Sequence, residues 1–514
     1  MPILKRLSQL HPDKVAICMA GTGVQLTFAE LDANADRVTR WLTSLGLAAG
    51  DGIALLLENH PATFELWWGA RRAGLYYTPI SVHSSKDEAR YLLRDCGAKV
   101  LITSLQQAEV ASDLIACLPS QSCFMADGVQ EGFSSYERAV SAAGQNVPLP
   151  ERPIGREFFY SSGTTGLPKG IRRPLQPYAA RFDVPALEGQ LRAIFGFDDK
   201  TVYLAPSPLY HATARFIIRT VECGGTAIVM EKFDAECALQ AISRFRVTHS
   251  HWVPTMLVRM LALPDPVRAR HDLSSMRCAI HAAAPCPTHV KDRMIDWWGL
   301  VVEEYYGGSE NAGVTHIDSR DWLAHRGSVG RAIWGQVHIL GDDGQELKVG
   351  EVGMIYFSGS GDFSYFNDPD KTAGAFSTQG WSTYGDMGYV DAEGYLYLSD
   401  RRVDLIISGG VNIYPAEVEN VLSAHPLVED VAVVAAPNEE FGQEVKAVVQ
   451  VRTQVADTAA LAQELIDFCR SRLSHHKCPR SVDFIQTLPR TENGKLLRRV
   501  LKEHYASGVQ AQQQ

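Results

Sequence analysis

Hydrophobic residues recur at helical spacing early in the chain and then give way to short, continuous apolar runs. Five of them predict one face of an amphipathic helix: Leu31, Ala35, Val38, Leu42 and Leu45. A turn at 50–52 leads into the apolar run 53–57. A second helical pattern follows over 62–73, and a further apolar run over 75–79. Strands that alternate with helices in this way are typical of parallel crossover units, so a parallel α/β sheet is predicted.

The same alternation returns in three later stretches, at 100–103, 226–230 and 277–281. From about residue 335 the pattern changes to short apolar runs separated by glycine-containing turns, for example at 341–344 and 391–394. Such spacing predicts hairpin-rich β structure.

A smaller α+β unit is predicted after residue 400. Its pattern consists of a helix from Pro415, strands at 431–436 and 445–451, and a helix near 461–473. The chain is therefore predicted to be an α/β protein with a large N-terminal domain at 1–400 (β-rich from about 335 to 400), a domain boundary at 401–404, a small C-terminal domain at 405–505, and a disordered tail at 506–514.

Composition and charge narrow the functional class. The 514 residues are enough for two to four folding units, and 46% hydrophobic with 21% charged residues is ordinary globular composition. The formal net charge of -10 has the wrong sign for binding a phosphate backbone, so nucleic acid is not expected as a partner.

The N-terminus and the cysteines bear on the compartment. No apolar secretory signal is visible at the start, and no stretch approaches about 18 uninterrupted apolar residues, so no membrane span is expected. The ten cysteines are scattered without CxxC or HExxH spacing, which favours free thiols in a reducing compartment. A cytoplasmic protein is the expectation.

The most specific local pattern is the segment 160–170, which reads YSSGTTGLPKG. Four hydroxyl side chains, three glycines and one lysine lie together after an apolar run. Glycines let backbone N–H groups approach anionic oxygens closely, and hydroxyls add donors, so the segment predicts a phosphate-binding loop. A flexible surface loop is the alternative. A Walker loop is excluded because Pro168 stands five residues after Gly163, and Lys169 precedes Gly170.

Six further motifs follow this loop in order: Pro208–His211 with Ala212, 281–285 (HAAAP), 306–310 (YGGSE), 380–386 (GWSTYGD), Asp400 and Arg401 with 408–410 (SGG), and 489–495 (PRTENGK). Together the seven motifs resemble those of the adenylate-forming superfamily, which includes acyl- and aryl-CoA ligases, luciferases and peptide-synthetase adenylation domains. The resemblance runs from about residue 26 to residue 501.

The resemblance implies a two-step reaction with ATP, Mg²⁺ and CoA. A carboxylate attacks the α-phosphorus of ATP, which gives acyl-AMP and pyrophosphate, and a thiol then takes the acyl group. The first step brings two anions together, so catalysis must depend on charge neutralisation and positioning.

The resemblance also implies roles for matching residues. Lys495 would bridge the carboxylate and the α-phosphate, Glu310 would be the Mg²⁺ ligand, and His211 would contact the acid or gate its tunnel. A lysine in a turn and a packed histidine are the alternatives. Ser309 replaces the threonine usual in the family. The implied ATP-binding residues are Ser161, Ser162, Gly163, Thr164, Thr165, Gly166, Lys169, Ala282, Ala283, Ala284, Tyr306, Gly307, Ser309, Asp386 and Arg401.

The C-terminal segment bears on the thiol carrier. Between residues 470 and 502, nine Lys or Arg residues stand against two acidic residues, and this local positive charge suits the phosphates of CoA. A solvated helix face is the alternative. By resemblance, Gly409 and Gly410 would line the pantetheine tunnel, and the residues near the adenine and phosphates of CoA would be Phe441, His476 and Arg480, with Lys477 as an alternative to Arg480.

The resemblance also implies that the small domain, 405–505, is mobile about a hinge at 401–404. This hinge departs from the family pattern, because Val403 occupies a position that usually holds aspartate or lysine. We expect rotation of the small domain to persist, since a pivot needs tolerant backbone angles rather than a particular charge.

The acid pocket is predicted by position from the motifs. Its residues would be His211, Ala212, Thr213, Arg215, His251, Ala283, Ala312 and Gly313, with Trp252 as the one bulky neighbour. The small residues argue against an acetate-sized acid. Arg215 would either meet a polar group far from the carboxylate or face solvent.

The sequence thus predicts an AMP-forming carboxylate–CoA ligase for a medium-to-bulky acid, whether fatty, aromatic or polycyclic. Two alternatives stay open. One is an adenylating enzyme that loads a carrier-protein pantetheine. The other is a catalytically silent nucleotide-binding regulatory paralogue. The sequence predicts no oligomeric state.

Overall fold

The computed structural model describes residues 2–506 except 145–146, 162–167, 360–362, 402–403, 409–410, 439–440, 454, 456 and 492–493. At Ser120, Ser161, Asp400, Arg401, Asn412 and Ala506 only the backbone is described. Several predicted residues therefore lie outside the description: 162–166 in the phosphate loop, Val403 in the hinge, and the Gly409–Gly410 pair.

The first third of the chain alternates strands and helices as predicted. Its helices are α1 Ile3–Leu10, α2 Phe28–Ser44, α3 Ala62–Ala73, α4 Lys86–Asp95, α5 Ala108–Ser112 and α6 Tyr136–Ala142. Its strands are β1 Val15–Met19, β2 Gln25–Thr27, β3 Gly52–Leu56, β4 Tyr76–Pro79, β5 Ala98–Ser104, β6 Cys123–Ala126, β7 Ser134–Ser135, β8 Arg156–Glu157, β9 Phe159–Ser161 and β10 Lys169–Arg172. Strands β7-β6-β5-β3-β4-β8 form a parallel six-stranded sheet.

The apolar pattern of this region follows from burial on both faces of the sheet. All five residues of β3 are buried, which explains its continuous apolar run. Helix α2 begins with a capping box, in which Thr27 accepts from the Glu30 N–H and Glu30 accepts from the Thr27 N–H. Gly69 lets α3 approach α2 closely, because a Cβ there would stand 2.4 Å from a Val38 methyl carbon.

The middle third builds most of a second, larger sheet. Its helices are α7 Ala186–Phe195, α8 Arg215–Glu222, α9 Ala235–Phe245, α10 Pro254–Leu261, α11 Asp265–Arg268, α12 Thr288–Trp298 and α13 Ser319–Ala324. Its strands are β11 Val202–Ala205, β12 Thr226–Val229, β13 His249–Trp252, β14 Cys278–His281, β15 Val302–Gly307, β16 Val314–Ile317 and β17 Ser328–Trp334. Strands β1, β12, β11, β13, β14 and β15 pair in parallel, and β16 and β17 continue antiparallel.

From residue 336 the chain is hairpin-rich, as its glycine-containing turns predict. The elements are β18 Gln336–Leu340, β19 Gly353–Ser358, β20 Ser364–Tyr365, α14 Pro369–Gly374, β21 Asp386–Val390 and β22 Leu396–Arg401. Strands β18, β19, β21 and β22 extend the large sheet antiparallel beyond β17. Strand β20 instead pairs with β10, which pairs antiparallel with β9. The predicted phosphate loop joins β9 to β10 along the chain.

The last hundred residues form a separate small α+β unit. Its elements are β23 Ile406–Ser408, β24 Val411–Ile413, α15 Pro415–Ser423, β25 Val428–Asn438, β26 Gly442–Val451, α16 Thr458–Arg470, β27 Ser481–Phe484 and α17 Arg498–Ala506. Residues such as Ile406, Val433 and Leu465 form its own hydrophobic core. The predicted α/β fold class is confirmed. Within the described ranges, no helix has the length and apolar composition needed to cross a membrane.

Candidate active site

A cleft of about 2050 Å³ lies between the larger sheets and the small C-terminal unit. Most of the predicted site residues whose side chains are described line it. They come from six of the seven motifs or from positions next to them: Lys169, His211, Ala212, Thr213, Arg215, Ala282, Ala283, Ala284, Tyr306, Gly307, Ser309, Glu310, Asp386 and Lys495. The parallel strands explain the convergence, since β11, β13, β14 and β15 end at the same edge of the sheet.

Lys169 and Glu310 are brought together by Tyr365, a residue that the sequence analysis missed. The Tyr365 hydroxyl donates to Glu310 Oε1 at 3.1 Å, and Lys169 Nζ stands 5.3 Å from the centre of the Tyr365 ring. Tyr365 lies on β20, which pairs with β10, the strand that begins at Lys169. This pairing places Lys169 near the tyrosine that contacts Glu310. An anion bound between Lys169 and Glu310 would contact the ammonium group of Lys169.

Gly308, two residues before Glu310, leaves room for the Glu310 carboxylate. A Cβ at Gly308 would stand 2.5 Å from the Tyr384 ring and 2.7 Å from Glu310 Oε2. Among the described residues no group of three or more His, Cys, Asp or Glu side chains could hold a metal ion. A single carboxylate in an open cleft nevertheless fits Mg²⁺, which takes one or two protein carboxylates and completes its shell with phosphate and water oxygens.

The predicted nucleoside-binding residues Tyr306 and Asp386 lie on β15 and β21 and contact each other in the cleft. The Tyr306 hydroxyl donates to Asp386 Oδ2 at 2.7 Å, and the β21–β22 ladder pairs Asp386 with the backbone of Arg401. Ala283 has a left-handed backbone, with φ of +76°, which is uncommon outside glycine and concentrates at functional sites. The turn at 282–284 lines the cleft, as does Tyr306.

The predicted catalytic lysine sits on a braced turn of the small unit. Lys495 donates its N–H to Thr491 Oγ1, and its carbonyl accepts from the Thr491 N–H at 2.8 Å. Arg490 forms two hydrogen bonds to Asp430 at 2.6 and 2.7 Å, and a third to the Gly494 carbonyl at 2.7 Å. Arg490 is therefore a positioning residue for this turn.

The turn reaches the large domain at Thr255 of α10. A Cβ at Gly494 would stand 2.1 Å from Thr255 Oγ1, and Gly494 has a φ of +77°. Only glycine therefore lets the turn approach this closely in this conformation.

Replacing Gly494 with alanine is expected to slow acyl-AMP formation by roughly 10- to 100-fold, because the methyl group pushes the Lys495 turn away from Thr255. Thioester formation from supplied acyl-AMP should change much less. Adding Thr255→Ala should restore part of the first rate, since it removes the clashing atoms. Single-turnover pyrophosphate release measures the effect, and a Gly494→Ala enzyme with the wild-type rate would show that the close approach is unimportant.

His211 stands at the cleft wall just before α8. Burial lowers the pKa of His211 to about 4, so its ring is neutral at pH 7. Its Nε2 atom is buried and has no hydrogen-bond partner among the described residues, and its ring contacts the Tyr210 ring edge-on at 4.7 Å. A neutral ring with an unused nitrogen is suited to accept or donate a hydrogen bond near a bound acid.

Buried histidines predict a loss of stability in acid. Burial lowers the pKa of His249 to about 4 and of His251 to about 3, whereas an unfolded chain titrates near 6.5. Below pH 6.5 the unfolded chain binds protons that the folded one excludes. Each of these histidines should therefore lower the free energy of unfolding by about 2 kcal/mol between pH 7 and pH 5.

Urea unfolding midpoints at the two pH values test this. His251→Leu should reduce the fall between pH 7 and pH 5, while the exposed control His475→Leu should leave it unchanged. An equal fall in the free energy of unfolding in both variants would show that burial of His251 does not cause the loss of stability in acid.

Three predicted acid-pocket residues do not line the cleft. His251 is fully buried beneath α8, with its ring 4.8 Å from Phe216. Ala312 is fully buried in a cluster with Phe357, and Gly313 is a glycine because a Cβ would stand 2.0 Å from that ring. The small size of Ala312 and Gly313 is therefore needed for packing against Phe357. Trp252 also points away from the cleft, into the core beside Trp298.

Arg215 does line the cleft, but it does not simply face solvent. Its Nε donates to Glu157 Oε1 at 2.9 Å, and its guanidinium lies over the Phe159 ring. Arg215 and Arg173 hold the pKa of the Glu157 carboxyl far below its usual range, although burial alone would raise it. This buried acid was missed because only the fold brings β8 beside α8.

The residues predicted near the adenine and phosphates of CoA do not line the cleft. The exposed Arg480 stacks at 3.9 Å over Phe441, and His476 is also exposed. Lys477 is held by both carboxylate oxygens of Glu417 at 2.8 Å.

The local excess of positive charge counted along 470–502 is largely balanced in the fold. Acidic partners come from distant parts of the sequence: Arg490 pairs with Asp430, Arg498 with Glu419, and Lys502 with Asp404. A count of charges along one segment misses such partners. The positive electrostatic field at 470–502 is therefore much weaker than the sequence indicated.

Two family models match the chain. The first, described as AMP-binding enzyme, matches residues 4–365, and the second, described as AMP-binding enzyme C-terminal domain, matches residues 417–495. The chain is 33% identical over 516 residues to the long-chain-fatty-acid–CoA ligase FadD13 of Mycobacterium tuberculosis, which covers 99% of this chain and 98% of the relative. It is also 33% identical to the feruloyl-CoA synthase of an Amycolatopsis species, over 97% of this chain and 98% of that protein.

Solved structures of related enzymes have the same fold as this chain. The ATP-bound MatB of Rhodopseudomonas palustris superposes with a TM-score of 0.83 at 26% identity, covering 98% of this chain and 99% of that one. The o-succinylbenzoate CoA synthetase MenE of Bacillus subtilis, in complex with its acyl-adenylate, gives a TM-score of 0.81 at 27% identity over 98% of both chains. The chain therefore belongs to the AMP-binding enzyme family, as its motifs indicate.

Proposed function

We propose that this protein is an AMP-forming carboxylate–CoA ligase for a medium-to-bulky acid. The observation that best supports this function is the convergence of Lys169, Glu310, Asp386 and Lys495 on one cleft, although they come from four separate motifs. A catalytically silent regulatory paralogue would be expected to have lost at least one of these groups.

Lys169 and Lys495 would act on the first step from opposite sides. The loop lysine would hold the outer phosphates of ATP, and Lys495 would lie between the acid carboxylate and the α-phosphate as their oxygens approach. Two negative groups repel strongly in a cleft of low dielectric, so a cation placed there lowers the barrier without rearranging. Attack by the carboxylate oxygen then releases pyrophosphate.

The remaining groups would position the nucleotide. Asp386 can accept hydrogen bonds from ribose hydroxyls while it accepts from Tyr306, and the backbone at 282–284 can meet the adenine edge. Glu310 would hold Mg²⁺, which when bound neutralises phosphate charge and orients the triphosphate. We propose ATP, Mg²⁺ and CoA as the full set of co-reactants.

The acid would enter beside α8. His211, Ala212 and Thr213 line this side of the cleft, and the small side chains leave space for more than an acetate. The relatives named as long-chain-fatty-acid, feruloyl and indoleacetate ligases act on acids of this size, which supports a medium-to-bulky substrate here.

For the second step we propose that the small domain, 405–505, rotates about the hinge at 401–404 relative to the large domain, 1–400. Asp404, the last residue of the hinge, is bound to the small domain, since Lys502 pairs with it at 2.7 Å. In the present arrangement Lys495 faces the cleft while Phe441, His476 and Arg480 do not line it. This arrangement suits acyl-AMP formation, and rotation would bring a different face of the small domain to the acyl-AMP.

A cytoplasmic location is also proposed. It is supported by the ten free cysteines, six of which are buried. Free thiols are usual where the compartment is reducing.

The test is a panel of carboxylic acids with ATP, Mg²⁺ and either free CoA or a carrier protein bearing pantetheine. We expect acid-dependent AMP and acyl-CoA formation with free CoA for at least one medium-to-bulky acid. Transfer to the carrier alone would favour a carrier-loading enzyme. ATP binding without acid-dependent pyrophosphate release would favour the regulatory alternative.

A further inference from the structure

One wall of the cleft carries two arginines along the acid side. His211 is followed by the 3-10 turn Ala212–Ala214, and α8 begins at Arg215. Arg215 and Arg219 are one helical turn apart, so both face the same way and both line the cleft. At about 2.0 Å per residue in the 3-10 turn and 1.5 Å in the helix, the Arg219 Cα lies roughly 14 Å along the wall from His211.

These arginines belong to a network with more positive than negative charge. The network contains six arginines and three glutamates. Glu157 pairs with Arg173 and Arg215, and Arg156 lies next to it. Glu222 pairs with Arg71 and Arg192, and Glu188 pairs with Arg192 and Arg219. Six guanidinium groups against three carboxylates leave an excess of three positive charges in this network.

The excess is held inside the molecule. The Arg219 side chain is only 5% exposed, and that of Arg173 is 14% exposed. Burial and, after it, repulsion from the nearby Arg215 guanidinium lower the pKa of Arg173 to about 9. An anion placed here would relieve that repulsion.

Arg219 also has an unused donor. Its Nε and Nη2 donate to the two carboxylate oxygens of Glu188, at 2.8 and 3.0 Å. Its buried Nη1 has no hydrogen-bond partner in the described part of the chain. A buried guanidinium nitrogen without an acceptor is costly, so a site that supplies the acceptor only when a ligand binds is a reasonable explanation.

A purely structural role explains less. Three buried arginine–glutamate pairs would be neutral, and apolar side chains would pack such a wall at lower cost. A wall for an unsubstituted alkyl chain would likewise be apolar. Neither role accounts for the excess of three charges or for the unpaired Nη1.

We propose that the acid used by this enzyme carries a second anionic group, which Arg219 and Arg215 bind at the far end of the acid side of the cleft. This inference rests on the proposed ligase function and adds the substrate class: a dicarboxylic acid or another acid with a distal anionic group. The reacting carboxylate would lie near His211, and the second one would reach the unused donor of Arg219.

The test compares straight-chain monocarboxylic acids with α,ω-dicarboxylic acids of matched length, by kcat/KM for acyl-CoA formation. We expect the best diacid to exceed its matched monoacid by at least about 10-fold, because a charge-assisted hydrogen bond forms only with the diacid. Arg219→Met should lower the diacid-to-monoacid ratio about 10- to 100-fold. The ratio should stay unchanged in Arg138→Met, an exposed arginine on α6.

The wild-type comparison keeps the test decisive if a variant folds poorly. Glu188 keeps Arg192 as a partner in Arg219→Met, and Arg215→Met provides a second variant that should lower the same ratio. Monoacids used as well as or better than diacids at every length would overturn the inference while leaving the ligase function intact. Failure of every acid to give acyl-AMP would instead overturn the proposed function.

Discussion

Replacing Lys495 with alanine is expected to lower the rate of acyl-AMP formation by roughly 10²–10³-fold, while thioester formation from supplied acyl-AMP and CoA stays within a few-fold of wild type. The reason is that the ammonium group would stabilise charge that develops only as the carboxylate meets the α-phosphate. Its removal leaves both anions in place without the cation between them. Single-turnover pyrophosphate release and acyl-AMP consumption measure the two steps separately.

The control for this variant is Lys348→Ala, an exposed lysine in the β-rich region. It should leave both steps unchanged. Equal losses in the two steps of the Lys495→Ala enzyme would indicate a general defect of the small domain. A near-normal rate of pyrophosphate release would remove Lys495 from the catalytic role altogether.

Replacing Glu310 with glutamine is expected to lower acyl-AMP formation by roughly 10²-fold or more and to raise the Mg²⁺ concentration needed for half-maximal rate. Glutamine keeps the size of the side chain and an oxygen that can accept from Tyr365, so the change is mainly the loss of one negative charge. The measurement is the Mg²⁺ dependence of pyrophosphate release.

The matched control is Glu109→Gln, a carboxylate whose side chain is 90% exposed. An unaltered Mg²⁺ dependence in the Glu310→Gln enzyme would contradict the metal-binding role. A loss of rate that high Mg²⁺ partly restores would support it.

Local sequence patterns predicted the parallel strands and the helices between them well. The run at 53–57 and the pattern at 62–73 correspond to β3 and α3, because strands and helices buried in a doubly covered sheet have characteristic periods. The hairpin-rich region was equally visible, since its turns need glycine. Element ends were less accurate: the strand predicted at 431–436 extends over Val428–Asn438.

Properties that depend on distant partners could not be read from the sequence. The basic segment 470–502 looked strongly positive because Asp430, Glu419 and Asp404 lie far from it in the chain. Gly313 looked like space for a substrate, but its size is set by the Phe357 ring. The arginine network was hidden for the same reason, since Glu157 lies on β8 and Arg219 on α8, far apart in the chain.

Residues that brace the motifs were missed as well. Arg490 holds the Lys495 turn, and Tyr365 links Lys169 with Glu310. One signal was available for Arg490, which stands inside the motif at 489–495. Tyr365 gave none, because only the pairing of β20 with β10 brings it to the cleft.

A crystal structure of the protein with ATP and Mg²⁺ tests the central claim most directly. The account predicts the triphosphate between Lys169 and Glu310, the ribose at Asp386, and the α-phosphate facing Lys495. A nucleotide bound with its triphosphate away from residues 161–169 would contradict it.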